Sequence, residues 1–60
     1  MILFRHIKLN KWVNTDDNSR WVLTDDIDME KSKFYDYDFV NEIMEDLKCD
    51  FEDILIFENI

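Results

Sequence analysis

The chain contains neither glycine nor proline. Every residue carries a Cβ, so no turn can use the residue that enters left-handed backbone conformations without steric cost. Positive-φ positions are therefore expected at asparagine or aspartate, whose short polar side chains tolerate that region best. Five Asn and ten Asp are available for the purpose. A glycine-rich phosphate cradle is excluded outright, since its backbone must approach the phosphate without side chains in the way.

Length sets the next bound. Sixty residues form at most one small domain, and a chain of that size buries only about 60% of the surface its unfolded form exposes. A substrate cleft walled by its own core does not fit. Fifteen acids against seven bases give a net charge of −8, which argues against direct nucleic-acid binding, because phosphate contacts need Lys and Arg. The opening Met1-Ile2-Leu3-Phe4 is followed at once by Arg5 and His6. No apolar run approaches a membrane span or the core of a signal peptide. A soluble cytoplasmic protein is expected, and the single Cys49, which has no internal disulfide partner, suits a reducing compartment.

Charge is spread unevenly. Residues 1–24 carry four bases and two acids, whereas residues 25–60 carry three bases and thirteen acids. The acids either keep a small domain soluble or present a negative surface to a partner. Apolar residues reach 47% and aromatic ones 15%, too many for a disordered chain. Nine large rings exceed what so small a core needs. Some are expected at the surface or in an interface with a partner or a second copy, so a homodimer is one of the arrangements open to the chain.

The pattern predicts an α+β domain spanning residues 1–60, in the order ββαβ, with an antiparallel sheet and one helix packed across it. Residues 2–13 read as one strand, with a bulge at Arg5-His6 to reconcile its two faces. Asn14–Ser19 is a cluster of turn formers, and residues 20–24 form the second strand of the hairpin. Asp25–Asp28 reads as a loop or a short helical turn. Residues 29–35 are ambiguous and admit a third strand. Phe39, Val40, Ile43, Met44 and Leu47 recur at the helical period, predicting a helix over 38–49 capped by Asp36 or Asp38. Residues 51–57 read as a buried strand.

Candidate chemistry is sparse. His6 has no Ser, Cys or carboxylate at a diagnostic spacing, and Cys49 has no CxxC partner. Asp26-x-Asp28 and Asp36-x-Asp38 lack the further oxygen ligands and the turn glycine of a Ca²⁺ loop. No catalytic residue, metal or cofactor is expected, and an enzyme is the weakest class.

The helix carries the sharper signal. At 100° per residue its five apolar residues fall within about 140°, while Asp38, Glu42, Glu45 and Asp46 share an opposite arc of about 100°. Like charges at i,i+4 destabilise a helix by about 0.2–0.5 kcal/mol per pair, and Asp46 lies near the negative end of the helix dipole. Folding alone does not call for such a stripe. Its carboxylates repeat about every 5.4 Å along the axis, the order of the spacing between phosphates on a nucleic-acid strand. Beside it, Phe34–Phe39 interleaves rings and acids. In one arrangement Phe34 and Phe39 enter the core while Tyr35 and Tyr37 lie at its edge. In the other the segment is a contact patch of aromatic anchors ringed by acids. The candidate partner-binding residues are Tyr35, Asp36, Tyr37, Asp38, Phe39, Glu42, Glu45 and Asp46.

The absence of Gly, Ala and Pro, whose codons are the most GC-rich, points to an AT-rich genome such as those of many Gram-positive bacteria and their phages. A very short, acidic ββαβ chain of this kind resembles the DNA-mimicking inhibitors that phages make against host DNA enzymes. Within that class it looks most like the short phage inhibitors of uracil-DNA glycosylase. The resemblance rests on the acidic hairpin turn Asp16-Asp17-Asn18, the Asp38-Phe39 helix start, and the acid-then-aliphatic strand Glu52–Ile56. It implies a homodimer in which Phe39 enters an apolar pocket on the enzyme and Asp38 stands in for a phosphate. The expected function is thus an acidic inhibitor that blocks the basic cleft of a host nucleic-acid-handling protein. A CRISPR-effector or restriction-enzyme inhibitor, and a plain protein–protein interaction module whose acids only solubilise, are the alternatives.

Overall fold

A computed structural model describes residues 1–58. Four antiparallel strands, β1 (Ile2–His6), β2 (Lys11–Thr15), β3 (Trp21–Thr24) and β4 (Ile54–Glu58), form one sheet in the order β3-β2-β1-β4. Between β3 and β4 run a single helical turn, α1 (Met29–Ser32), a 3-10 turn (Tyr37–Phe39), the main helix α2 (Val40–Leu47) and a second 3-10 turn (Phe51–Asp53). The α+β class and the helix on an antiparallel sheet agree with the sequence reading.

The strand count differs. Residues 2–13 are two strands, not one bulged strand, because the chain reverses between His6 and Lys11. Asn10 sits at φ 54° and its N–H donates to the Ile7 carbonyl. The Arg5 guanidinium donates to both the carbonyl and side-chain oxygens of Asn10, at 3.0 and 2.6 Å. Ile7 and Leu9, which fall within that expected strand, are exposed on this turn. Two further residues take positive φ, Ser19 and Lys48. Among the described residues the expectation that Asn or Asp would hold such positions is met at Asn10 alone; at Ser19 the N–H donates to the Asp16 carbonyl at 3.1 Å within the hairpin turn. At Lys48 the closing bond runs from the Cys49 N–H to the Met44 carbonyl at 3.2 Å and ends α2.

Register assigns the two sheet faces. Phe4 lies opposite Val13 and Ile56, and Val13 lies opposite Leu23. Directly paired residues project to one side and alternate along each strand. Phe4, Val13, Trp21 and Ile54 therefore share the side that meets Val40 and Ile43 of α2, and these six form the buried core. By the same register the other side carries Leu3, which is buried, with Arg5, Trp12, Asn14, Val22, Thr24, Leu55 and Phe57, none of them an acid. There the Arg5 guanidinium lies 4.6 Å from the Trp12 ring centre, and Trp12 lies 5.6 Å from Phe57.

The β1–β2 ladder ends at Phe4 opposite Val13. Beyond it, the 28–35 segment takes over the groups of β2. The buried Asn14 accepts the Asp28 N–H at 2.8 Å and donates to Ser32 Oγ and the Tyr35 hydroxyl. The Tyr35 hydroxyl also accepts the Thr15 N–H at 2.8 Å. Residues 29–35, open to a third strand on sequence, are instead a helical turn continued by a hydrogen-bonded turn, in which the Tyr35 N–H donates to the Ser32 carbonyl at 3.1 Å. Asp28 caps that turn, accepting the N–H groups of Glu30 and Lys31. No buried side-chain polar atom among the described residues lacks a partner.

Candidate functional site

Asp36 ends an extended residue and accepts the Tyr37 N–H at 2.6 Å, so it caps the 3-10 turn that leads into α2. Val40 and Ile43 turn one side of α2 into the core, which leaves Glu42, Glu45 and Asp46 on the exposed side. Asp38 is exposed in the preceding 3-10 turn. All five acids expected at the site are at the surface, on a continuous stretch of chain.

They do not all do the same work. Asp46 Oδ2 accepts the Trp21 N–H at 3.0 Å. Because β3 is an edge strand, that N–H would otherwise be an open pairing group. Asp36 thus caps the entry to the helix, as the sequence allowed, whereas the folding role of Asp46 corrects the expectation that folding asks for none of the stripe. Asp38, Glu42 and Glu45 are different. Among the described residues their side chains enter no hydrogen bond and no ion pair. The ion pairs that do form lie elsewhere: Lys8–Asp53, Lys11–Asp25 and Lys33–Glu30.

The rings divide in a way the sequence did not reveal. Tyr35 and Phe39 are half-buried and join Phe4 and Trp21 in one cluster. Tyr35 lies 4.8 Å and Phe39 5.7 Å from Trp21 between ring centres. Such aromatic pairs contribute about 0.5–1.5 kcal/mol each beyond their buried area. Phe39, the wedge implied by the family resemblance, is thus held in this cluster rather than projecting freely. Tyr37 is exposed, and the neighbouring Glu58 carboxylate holds its hydroxyl pKa above the ordinary value. Phe34, with 81% of its surface in solvent, is the outward ring of the segment. The inverse was one expectation, with Phe34 inside and Tyr35 at the edge. Tyr35 enters because its hydroxyl satisfies polar groups of β2 that a Phe would leave bare.

An open groove of about 370 Å³ lies beside the acidic stripe, walled by Trp21, Phe34, Tyr35 and Phe39, with Thr15, Ser19, Lys31 and Glu42 completing its lining. Lys31 Nζ is tied to the Thr15 carbonyl at 2.7 Å. The groove therefore combines aromatic walls, one engaged ammonium and one carboxylate without a partner.

The remaining chemistry-bearing residues cluster at the opposite end of β1. His6 is buried, and its Nδ1 accepts the Leu9 N–H at 3.2 Å. Cys49 is half-buried, and burial followed by the charges of Asp53 and Asp50 pushes its thiol pKa up, the reverse of what a nucleophilic thiolate requires. Asp53 is held below the usual carboxylate range, first by the Asp50 N–H and then by Lys8. Among the described residues no three His, Cys, Asp or Glu side chains are placed to hold a metal ion, and no helix is long and apolar enough to cross a membrane. Comparison with protein-family models, with curated proteins and with solved structures finds no match to this chain.

Proposed function

We propose that this chain is a non-enzymatic acidic inhibitor that docks its α2 face on the basic cleft of a host nucleic-acid-handling protein and blocks it. The reading rests on one observation above all. Asp38, Glu42 and Glu45 are exposed on the α2 segment and form no ion pair among the described residues, in a chain of net charge −8. Carboxylates left unpaired on one face favour a cationic partner and speed its encounter. A cytoplasmic setting, in a host cell if the chain is phage-encoded, follows from that target class. Uracil-DNA glycosylase is the first target to try, on the family resemblance, with CRISPR effectors and restriction enzymes next.

A second copy is part of the proposal. Among the described strand residues, the sheet face opposite α2 bears Arg5, the polar Asn14 and Thr24, and apolar residues, but no acid, so it is where two such chains approach with their carboxylates kept apart. A homodimer joined there presents two acidic faces outward.

The test uses purified uracil-DNA glycosylase and a uracil-containing duplex. The native chain is expected to stop uracil excision, to lose potency as salt rises, and to be displaced by competing DNA. The pair Glu42→Lys with Glu45→Lys removes inhibition. Inhibition that survives the double reversal refutes the acidic docking face and favours the plain interaction module. An unaffected glycosylase moves the same assay to the other two enzyme classes.

A further inference from the structure

We propose that the groove beside α2 receives an arginine side chain of the partner. This inference rests on the acidic docking face and adds a specific contact to it.

Three observations converge on a guanidinium. First, Phe34 stands 81% exposed at a groove that Tyr35 and Phe39 also wall. Ring faces carry negative electrostatic potential and attract cations, and arginine is the cation most often found stacked on them. Second, Glu42 lies in the same lining and has no cationic partner among the described residues, so it offers two acceptor oxygens to a planar fork of N–H donors. Third, the groove is open and aromatic-walled, which suits a flat, weakly hydrated group better than a compact, strongly hydrated ammonium. The negative chain around it selects a basic partner surface.

Lys31 sets the sign of the test. Its ammonium is held by the Thr15 carbonyl at 2.7 Å and contributes a like charge to the groove. A guanidinium binds in spite of it. An anionic ligand would bind because of it, and an apolar side chain would be indifferent to both Lys31 and Glu42.

Titration of the isotope-labelled full chain by NMR with N-acetyl-arginine amide separates these cases. N-acetyl-citrulline amide, of nearly the same shape but uncharged, serves as the control. Saturable shifts are expected at Phe34, Phe39 and Glu42, with citrulline binding several-fold more weakly. Phe34→Ala and Glu42→Gln each weaken arginine binding by about 2–5-fold, the size of one exposed cation–π or charged contact. Lys31→Met tightens it by a similar factor. Equal binding of the two probes, weaker arginine binding on Lys31→Met, or an absence of shifts at the groove each overturns the inference. The docking face stands or falls separately. Should the Glu42→Lys, Glu45→Lys pair abolish inhibition while the arginine probe leaves the groove unshifted, only the groove assignment is lost.

Discussion

Asp46 Oδ2 accepts the backbone N–H of Trp21 at 3.0 Å, joining the last turn of α2 to the outer edge of β3. Asp46→Ala is expected to cost about 1–3 kcal/mol, the range for losing a charged acceptor from a partly buried donor. Asp46→Asn keeps an acceptor oxygen and retains most of that stability. Glu45→Ala, one residue away and without a partner, changes stability by less than about 0.5 kcal/mol. Urea denaturation of the three variants checks this, and equal midpoints for Asp46→Ala and Glu45→Ala would contradict the structural role of Asp46. The same contrast is why charge reversal is best made at Glu42 and Glu45.

Neighbouring rings in the 34–39 segment should respond oppositely. Tyr35→Phe strips the acceptor from the Thr15 N–H and a partner from Asn14, at an expected cost of about 1–3 kcal/mol. Phe34→Ala removes a ring that lies mostly in solvent and should leave the unfolding midpoint nearly unchanged. Near-ultraviolet circular dichroism, which reports aromatic packing, is expected to weaken for the first variant and to keep its form for the second.

Lys48 ends α2 at φ 53°, ψ 49°. A residue with a Cβ in that region costs about 1–2 kcal/mol relative to the right-handed conformation, and glycine does not incur it. Lys48→Gly is therefore expected to stabilise the fold by about 1 kcal/mol, less the entropy that glycine adds to the unfolded chain. Thermal melting should rise by several degrees, whereas Lys48→Ala should bring no gain.

Acid sensitivity should concentrate at Asp53. Its folded-state pKa is depressed by the Asp50 N–H and by Lys8, so its stabilising contribution is complete above the unfolded value of about 3.9. That contribution is lost as pH falls through the lower folded value, because the unfolded chain then takes up the proton more readily than the native one. Asp16, depressed chiefly by the Arg20 N–H, acts in the same direction. Native stability is expected to hold down to about pH 4 and to decline below it. Asp53→Asn should be less stable at neutral pH with a shallower acid limb in a pH series of denaturation midpoints. An unchanged acid slope in that variant would contradict the assignment.

The helix and the last strand were legible because their apolar spacing is strong. Val40, Ile43, Met44 and Leu47 read as helix and lie in α2, and Ile54–Phe57 read as strand and lie in β4. The turn at residues 7–10 was hidden for a physical reason. Ile7 and Leu9 look like continuing strand, and without glycine nothing marks the reversal at Asn10. The 3-10 turns at 37–39 and 51–53 shortened elements read as longer, since a 3-10 turn shares the apolar and capping signals of its neighbours. At the candidate site, exposure of Asp38, Glu42, Glu45 and Asp46 followed from helical period alone. What periodicity cannot supply is a long-range partner. Asp46 is singled out by Trp21, 25 residues away, and Tyr35 by Asn14 and Thr15, about 20 residues away.

The two tryptophans occupy opposite sides of the sheet. Trp21 is almost wholly enclosed beside the groove, whereas Trp12 lies half-covered next to the Arg5 guanidinium. The molecule consequently carries an intrinsic light-emitting reporter for each side. With Trp12→Phe the remaining emission senses what enters near α2, and with Trp21→Phe it senses what covers the far surface. Self-association and target capture thus become optically distinguishable events without any attached dye.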